Sequence, residues 1–158
     1  MKEVIVFYLN GAEYGVEISG MQSLENYQQI RPLPDAPEGI LGTVKIREES
    51  YPVYDLKSKI TSGAQPVAAE TSVEDMKIIL LRTNVGNIAC IVDDVGNVFR
   101  AEGDNVQPFP SVARSEDTSY IDFVARRNNK LIVVINSFAL LTEEQEEALK
   151  KIDFSEER

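Results

Sequence analysis

The chain has 158 residues, 43% hydrophobic and 27% charged, the balance of a globular protein with chain enough for one compact domain or two very small units sharing a core. Its 26 acidic residues against 16 basic ones give a net charge of −10, which repels phosphate backbones and argues against nucleic acid as a partner. It contains no histidine and one cysteine, so the commonest general base and metal ligand is missing and no internal disulfide can form. No apolar run approaches a bilayer span, and Met1-Lys2-Glu3 leads into a strand pattern without a signal-peptide hydrophobic region; the expected location is the cytoplasm.

Val4–Leu9, then Asn10-Gly11, then Tyr14, Val16 and Ile18 read as a hairpin, because both turn residues tolerate positive φ. Ser19–Glu25 reads as a turn or two of helix. The stretch 42–56 (GTVKIREESYPVYDL) reads as a second hairpin with its tip at Arg47–Ser50, and Leu56–Ile60 as a short helical turn. Residues 61–74, small and polar without periodicity, have the composition of a mobile linker loop. A third hairpin runs from Lys77–Leu81 through Asn84-Val85-Gly86-Asn87 to Ile88–Val92, where Cys90 sits in an apolar strand as a small buried hydrophobe. The adjacent acids Asp93-Asp94 suit a backbone cap or a metal ligand pair, the cap being the commoner use. Ile121–Arg126 and Leu131–Ile135 form a fourth hairpin through Asn128-Asn129. The chain closes on a helix over 142–153. Thr142 with Gln145 fits a capping box, Glu146/Lys150 and Glu147/Lys151 are i,i+4 pairs, and Leu149 and Ile152 give a narrow apolar stripe.

The second and fourth hairpins fall into register at an offset of 81: Ile40 with Ile121, Lys45 with Arg126, Val53 with Val134, Asp55 with Asn136, Ile60 with Leu141. Each follows an earlier hairpin with a glycine in its turn. The chain therefore reads as two copies of one β unit, with approximate lobes 1–60 and 75–141 whose strands are free to cross. Units this small need each other for a core, and the groove where they meet is the default place for a partner or ligand.

Tyr14–Ile18, Arg31–Glu38, Gly42–Arg47 and Pro52–Leu56, continued by Ile91–Val95, Tyr120-Ile121 and Leu131–Leu141, resemble the CheW family of bacterial chemotaxis adaptors in order and spacing over nearly the whole chain. The resemblance implies a mainly β fold of two SH3-like five-stranded β-barrel lobes packed side by side, with a C-terminal helix. It implies no enzymatic activity and no cofactor. The implied function is to bridge the cytoplasmic tips of chemoreceptors (methyl-accepting chemotaxis proteins) to the regulatory domain of the histidine kinase CheA, at membrane-bound receptor arrays reached through protein partners.

Carried onto this sequence, the resemblance implies a receptor-binding set of Arg47, Met21, Ser23, Leu24, Lys45 and Glu48, and a kinase-binding set of Ile30, Leu33 and Leu41. An arginine at such a place can fork hydrogen bonds to a carboxylate or to helix-end carbonyls, and exposed apolar side chains on a barrel flank would anchor a sister domain. There are departures. Glu48 stands where the family has a turn glycine, Ser23 where glutamate is common, Glu25 where a basic residue is frequent, Phe123 where a glycine is usual, and Asn136 where aspartate is frequent. These leave open a divergent adaptor of a chemosensory-like pathway with another output. Read from the residues alone, Arg47 beside two glutamates also fits a solvated turn with weak ion pairs, Met21 and Leu24 also fit the inter-lobe core, and a small β-barrel ligand carrier or carboxylate-dependent enzyme in the groove is the contrasting function class.

Overall fold

In a computed structural model, residues 2–60, 74–108 and 118–152 are described. Their strands are β1 (Lys2–Leu9), β2 (Ala12–Glu17), β3 (Met21–Asn26), β4 (Ile40–Ile46), β5 (Glu49–Tyr54), β6 (Lys77–Thr83), β7 (Gly86–Val92), β8 (Asp94–Ala101), β9 (Val106–Pro108), β10 (Ile121–Arg127) and β11 (Lys130–Ile135). Among the described residues there are also two helices, α1 (Leu56–Ile60) and α2 (Glu143–Lys150), and short 3-10 turns. The fold is mainly β, in two sheets, with one short C-terminal helix. Among the described residues no helix is long and apolar enough to cross a membrane.

Local turn chemistry sets the hairpins. Asn10-Gly11 (φ 51° and 81°), Arg47-Glu48 (47° and 74°) and Asn128-Asn129 (51° and 61°) are two-residue turns with both φ values positive, the backbone whose twist matches that of antiparallel strands. The second hairpin is thus tighter than expected: its tip is Arg47-Glu48, while Glu49 and Ser50 belong to β5. The offset of 81 holds to the residue. β4 and β10, β5 and β11, and the two turns correspond, and the register slips at the same place in each, between Ile40 and Gly42 and between Ile121 and Phe123.

One sheet has the order β3-β6-β7-β5-β4 and the other β8-β1-β2-β11-β10-β9, the latter with six strands rather than five because of the three-residue β9. Sheet membership does not follow the division 1–60 and 75–141. Hairpin β1–β2 joins strands from the second half through the parallel pair β2–β11, and hairpin β6–β7 joins strands from the first half through the parallel pair β5–β7. The two sequence copies have exchanged their first hairpins. The crossing connections bind the halves into one unit, the physical answer to cores too small to stand alone.

Each sheet encloses its own apolar cluster. Val44, Ile46, Val53, Ile78, Leu80 and Ala89 fill the five-stranded one, and Val4, Val6, Phe123, Ala125, Ile132 and Val134 fill the six-stranded one. A third cluster lies between them, built from the opposite faces of the same strands, including Ile5, Phe7, Leu9, Tyr54, Ile79, Leu81, Cys90 and Ile135, and closed by Leu149 of α2.

Two expectations change here, and two strands were not read from the sequence. The helix expected over Ser19–Glu25 is a 3-10 turn at Ile18–Gly20 followed by β3. Met21 and Leu24 mimic helical spacing, but pairing with β6 alternates them to opposite faces. Strands β8 and β9 carried no readable alternation, since Gly96-Asn97 interrupts β8; the glycine leaves room for Tyr8, whose hydroxyl would stand 3.0 Å from an added Cβ. In α2 the capping box is present, with Gln145 N donating to Thr142 Oγ1 at 3.1 Å and Thr142 N to Gln145 Oε1 at 3.0 Å. The i,i+4 pairs are not formed: Lys150 meets Glu147 at 3.3 Å, and Glu146 accepts from Asn84 Nδ2. The linker reading falls on 61–73, apart from Glu74, and so lies outside the described residues, as does Asp153 at the end of the expected helix.

Candidate functional site

Strands β3 and β4 are the two ends of the five-stranded sheet, yet the sheet curls far enough for the β4–β5 tip to meet β3. Arg47 makes the contact with a guanidinium fork. Nη1 donates to Glu25 Oε1 at 2.9 Å and Nη2 donates to Glu25 Oε2. The geometry is the bidentate one that only arginine supplies to a carboxylate. Arg47 is largely exposed, whereas the Glu25 side chain is only 12% exposed, so the carboxylate is set into the surface with the guanidinium lying over it. The Arg47 fork holds the Glu25 carboxyl below its ordinary range, and Glu25 in turn raises the Arg47 guanidinium.

The question posed by an arginine beside two glutamates thus has a structural answer, because Arg47 turns away from both. Glu48 is 3.9 Å from Lys45, with its side chain 93% exposed. Glu49 accepts a hydrogen bond from the Tyr51 hydroxyl at 2.7 Å, which raises the tyrosine's pKa. Glu48 also occupies φ 74°, a left-handed conformation that disfavours any residue with a Cβ and suits the glycine expected there.

The seam between the sheets is not an open groove, being filled by the central apolar cluster. Burial pushes the Cys90 thiol and the Tyr54 phenol far above their ordinary values, and neither is a nucleophile. Asp93 is a structural carboxylate, buried where β7 gives way to β8. Its Oδ2 accepts from Asn10 N at 2.8 Å and its Oδ1 from Lys57 Nζ at 3.0 Å, tying the first turn to α1. Among the described residues no three His, Cys, Asp or Glu side chains form a metal-ligand set. An open groove of about 790 Å³ beside Pro37, Glu38 and Glu143–Gln145 presents its acids to solvent rather than converging them on a buried point.

Among the described residues the seam is filled, an ion-pair fork lies at the surface, and no catalytic constellation is assembled. Among known families, the model of the CheW-like domain matches residues 3–145. The chain belongs to the CheW family. It is 23% identical over 147 residues to the chemotaxis protein CheW of Bacillus subtilis, covering 93% of this chain and 91% of that one, and 24% identical over 144 residues to CheW of Klebsiella aerogenes, covering 91% and 84%. Among solved structures it resembles the scaffolding protein TtCheW of Thermoanaerobacter tengcongensis, with a TM-score of 0.76, 27% identity, and 91% and 90% of the two chains covered. Like other CheW proteins it is non-catalytic.

The residues singled out from sequence separate in this CheW fold. Arg47, Lys45 and Glu48 cluster at the β4–β5 tip, with Ser23 on β3 beside Glu25. Met21 packs against the central cluster, while Leu24, on the other face of β3, is 42% exposed. Ile30 and Leu33 are half-buried, Ile30 against the five-stranded cluster and Leu33 against the central one; Leu41 is exposed. Ile30 and Leu33 lie on a segment that folds back along β4, where Arg31 and Thr43 exchange two 2.8 Å backbone hydrogen bonds. Glu25 was absent from the site set, having been read only as a departure. The signal lies in the two-residue period of a strand: Ser23 and Glu25 share one face of β3, so the Glu25 carboxylate faces Arg47 from the same side as Ser23.

Proposed function

We propose that the chain is a non-catalytic chemotaxis adaptor that holds chemoreceptor cytoplasmic tips and the CheA regulatory domain together, and that it is carried to membrane-bound receptor arrays by those partners. The receptor-facing surface is the Arg47–Glu25 fork with Lys45, Glu48, Ser23 and exposed Leu24, and Met21 supports β3 from behind. The kinase-facing surface is Leu41 with Ile30 and Leu33 beneath it. The observation that carries this reading is that one strand, β4, holds Leu41 at its start and leads into Arg47 at its tip. Six residues of strand separate the two by about 20 Å, so one rigid element offers two surfaces that can be occupied together.

The variants that test this are Arg47→Glu for the receptor surface and Leu41→Asp for the kinase surface. Leu41 is the kinase probe rather than Ile30, which packs on an interior cluster where a charge would also disturb folding. Titration calorimetry with a receptor tip fragment and with the CheA regulatory domain should show Arg47→Glu weakening only the first, and Leu41→Asp only the second, each about tenfold or more. Wild-type affinity of both variants for both partners would sink the assignment of faces. Glu48, retained at a backbone position that favours glycine, supports a second reading, an adaptor of a chemosensory-like pathway with a different receptor set. Preference for receptor tips other than those of chemotaxis in the same titration would favour it.

A further inference from the structure

The duplication supplies an internal control for side chains that the fold does not demand. On the outer face of hairpin β10–β11, Val124 stands opposite Val133 and Arg126 opposite Leu131. The inner-face neighbours Phe123, Ala125, Ile132 and Val134 fill the six-stranded cluster. The counterparts 81 residues earlier are Thr43 opposite Pro52, both buried, and Lys45 opposite Ser50, so near the tip the same backbone is built elsewhere in the chain with polar side chains in place of Leu131. Here Val133 packs against the central cluster and Val124 is half-buried, while Leu131 is 59% exposed, the most open of the large exposed hydrophobics among the described residues.

The charge at this tip runs against the rest of the molecule. Arg126, Arg127 and Lys130 fall within one turn of a chain whose net charge is −10. Lys130 is matched by Glu13 at 3.5 Å, and Arg127 lies over the Phe99 ring at 5.3 Å. Arg126, exposed beside Leu131, has no carboxylate partner among the described residues. The corresponding tip of the other sheet has its arginine neutralised by Glu25.

We propose that the outer face of β10–β11, centred on Arg126 and Leu131, is a docking surface for an acidic segment of another protein, one that presents an apolar side chain beside a carboxylate. Leu131, with Val124 behind it, receives the apolar group, while Arg126 receives an acid. Charge complementarity selects this occupant. An anionic bilayer or a second copy of a chain with ten excess negative charges is repelled as a whole, whereas a short acidic segment feels mainly the charges within about 8–10 Å of the tip. The surface is separate from both surfaces proposed above and stands whether or not those are assigned correctly.

The test uses the whole chain and a synthetic amphipathic peptide of leucine and glutamate, with its leucine–lysine counterpart as control. Backbone amide shifts should move at 124–133 with the acidic peptide only, and affinity should fall as salt is raised. Arg126→Glu should weaken binding about tenfold and Leu131→Ser about threefold, whereas Arg82→Glu, the same charge change elsewhere on the surface, should have no effect. Both tested side chains are exposed, and an unchanged melting temperature confirms that each variant folds. Shifts confined to Leu24 or Leu41, or equal binding of the lysine peptide, would overturn the proposal. So would capture by phosphatidylglycerol vesicles through Arg126 without peptide binding, or a concentration-dependent dimer abolished by Arg126→Glu.

Discussion

Hairpin β4–β5 and hairpin β10–β11 correspond strand for strand, turn for turn and bulge for bulge at an offset of 81, yet they solve the same problems with different side chains. At the bulge, Gly42 lets the 27–39 segment press against β4, while Phe123 fills the interior of the six-stranded sheet. At the turn, Asn128-Asn129 accepts positive φ readily, whereas Arg47-Glu48 holds it against intrinsic preference. Near the tip, one arginine grips a carboxylate on the sheet's first strand and the other lies on a phenylalanine ring of β8. The shared backbone shows what the duplicated fold requires, and the differences mark what each copy has been adapted to do. Strain concentrated at one tip and absent from the other accords with the receptor surface proposed for that tip.

Making the two hairpins alike should break that division of labour most visibly at the bulge. A Cβ on Gly42 would stand 2.2 Å from the Arg31 carbonyl oxygen, at φ +153°, so Gly42→Phe, and even Gly42→Ala, should cost more than about 3 kcal/mol. The reciprocal Phe123→Gly should lose at least about 3–5 kcal/mol through the cavity it leaves. Urea unfolding measures both, and a Gly42→Ala midpoint equal to wild type would show that the close approach at β4 is absent in solution.

Exchanging the turns has a smaller effect of opposite sign on the two sides. Glu48→Gly should stabilise the protein by about 1 kcal/mol by relieving the left-handed conformation, while weakening receptor-tip binding if the strain is retained for function. Asn129→Glu should destabilise by a similar amount, about 1 kcal/mol. Equal midpoints for wild type and Glu48→Gly would remove the strain argument.

The smallest effect separates the two arginine contacts by pH. The Glu25 carboxyl is held below its ordinary value of 4.5 by Arg47, so it is the folded state that keeps the proton off. The resulting stability is fully present above pH 4.5 and is lost as pH falls through the lowered native value. The difference in unfolding midpoint between wild type and Glu25→Gln should therefore shrink between pH 6 and pH 3. The difference between wild type and Arg127→Gln, about 0.5–1 kcal/mol at most for a cation over a ring, should stay constant over the same range because no carboxylate takes part. Parallel pH profiles for the two variants would contradict the Arg47–Glu25 pairing.

Much of this protein is written locally. Asn-Gly and Asn-Asn turns between alternating runs define hairpins, because positive φ at paired positions is a property of those residues. Thr142 and Gln145 define the start of α2 by reciprocal hydrogen bonds within one turn. The 81-residue offset is a comparison of the chain with itself, and it carried through to the bulges. The family, and with it the absence of catalysis, was legible from motifs spread along the chain. Harder to read were segments whose conformation is imposed by a distant neighbour. β3 has the polarity of a helix edge and becomes a strand only on β6, and β8 is a strand only against β1.

Sequence by itself therefore determined the hairpins, their duplication, the helix cap and the family. Tertiary structure alone decided that the two copies exchange their first hairpins, that the seam is filled rather than open, and that Arg47 reaches Glu25 instead of its neighbours. The reason is physical. A hairpin is closed by contacts a few residues apart, whereas the parallel pairs β2–β11 and β5–β7 and the fork across the curled sheet join residues far apart in the chain. No local propensity encodes which sheet edge a hairpin will meet; that is settled when the apolar faces of both halves are buried together.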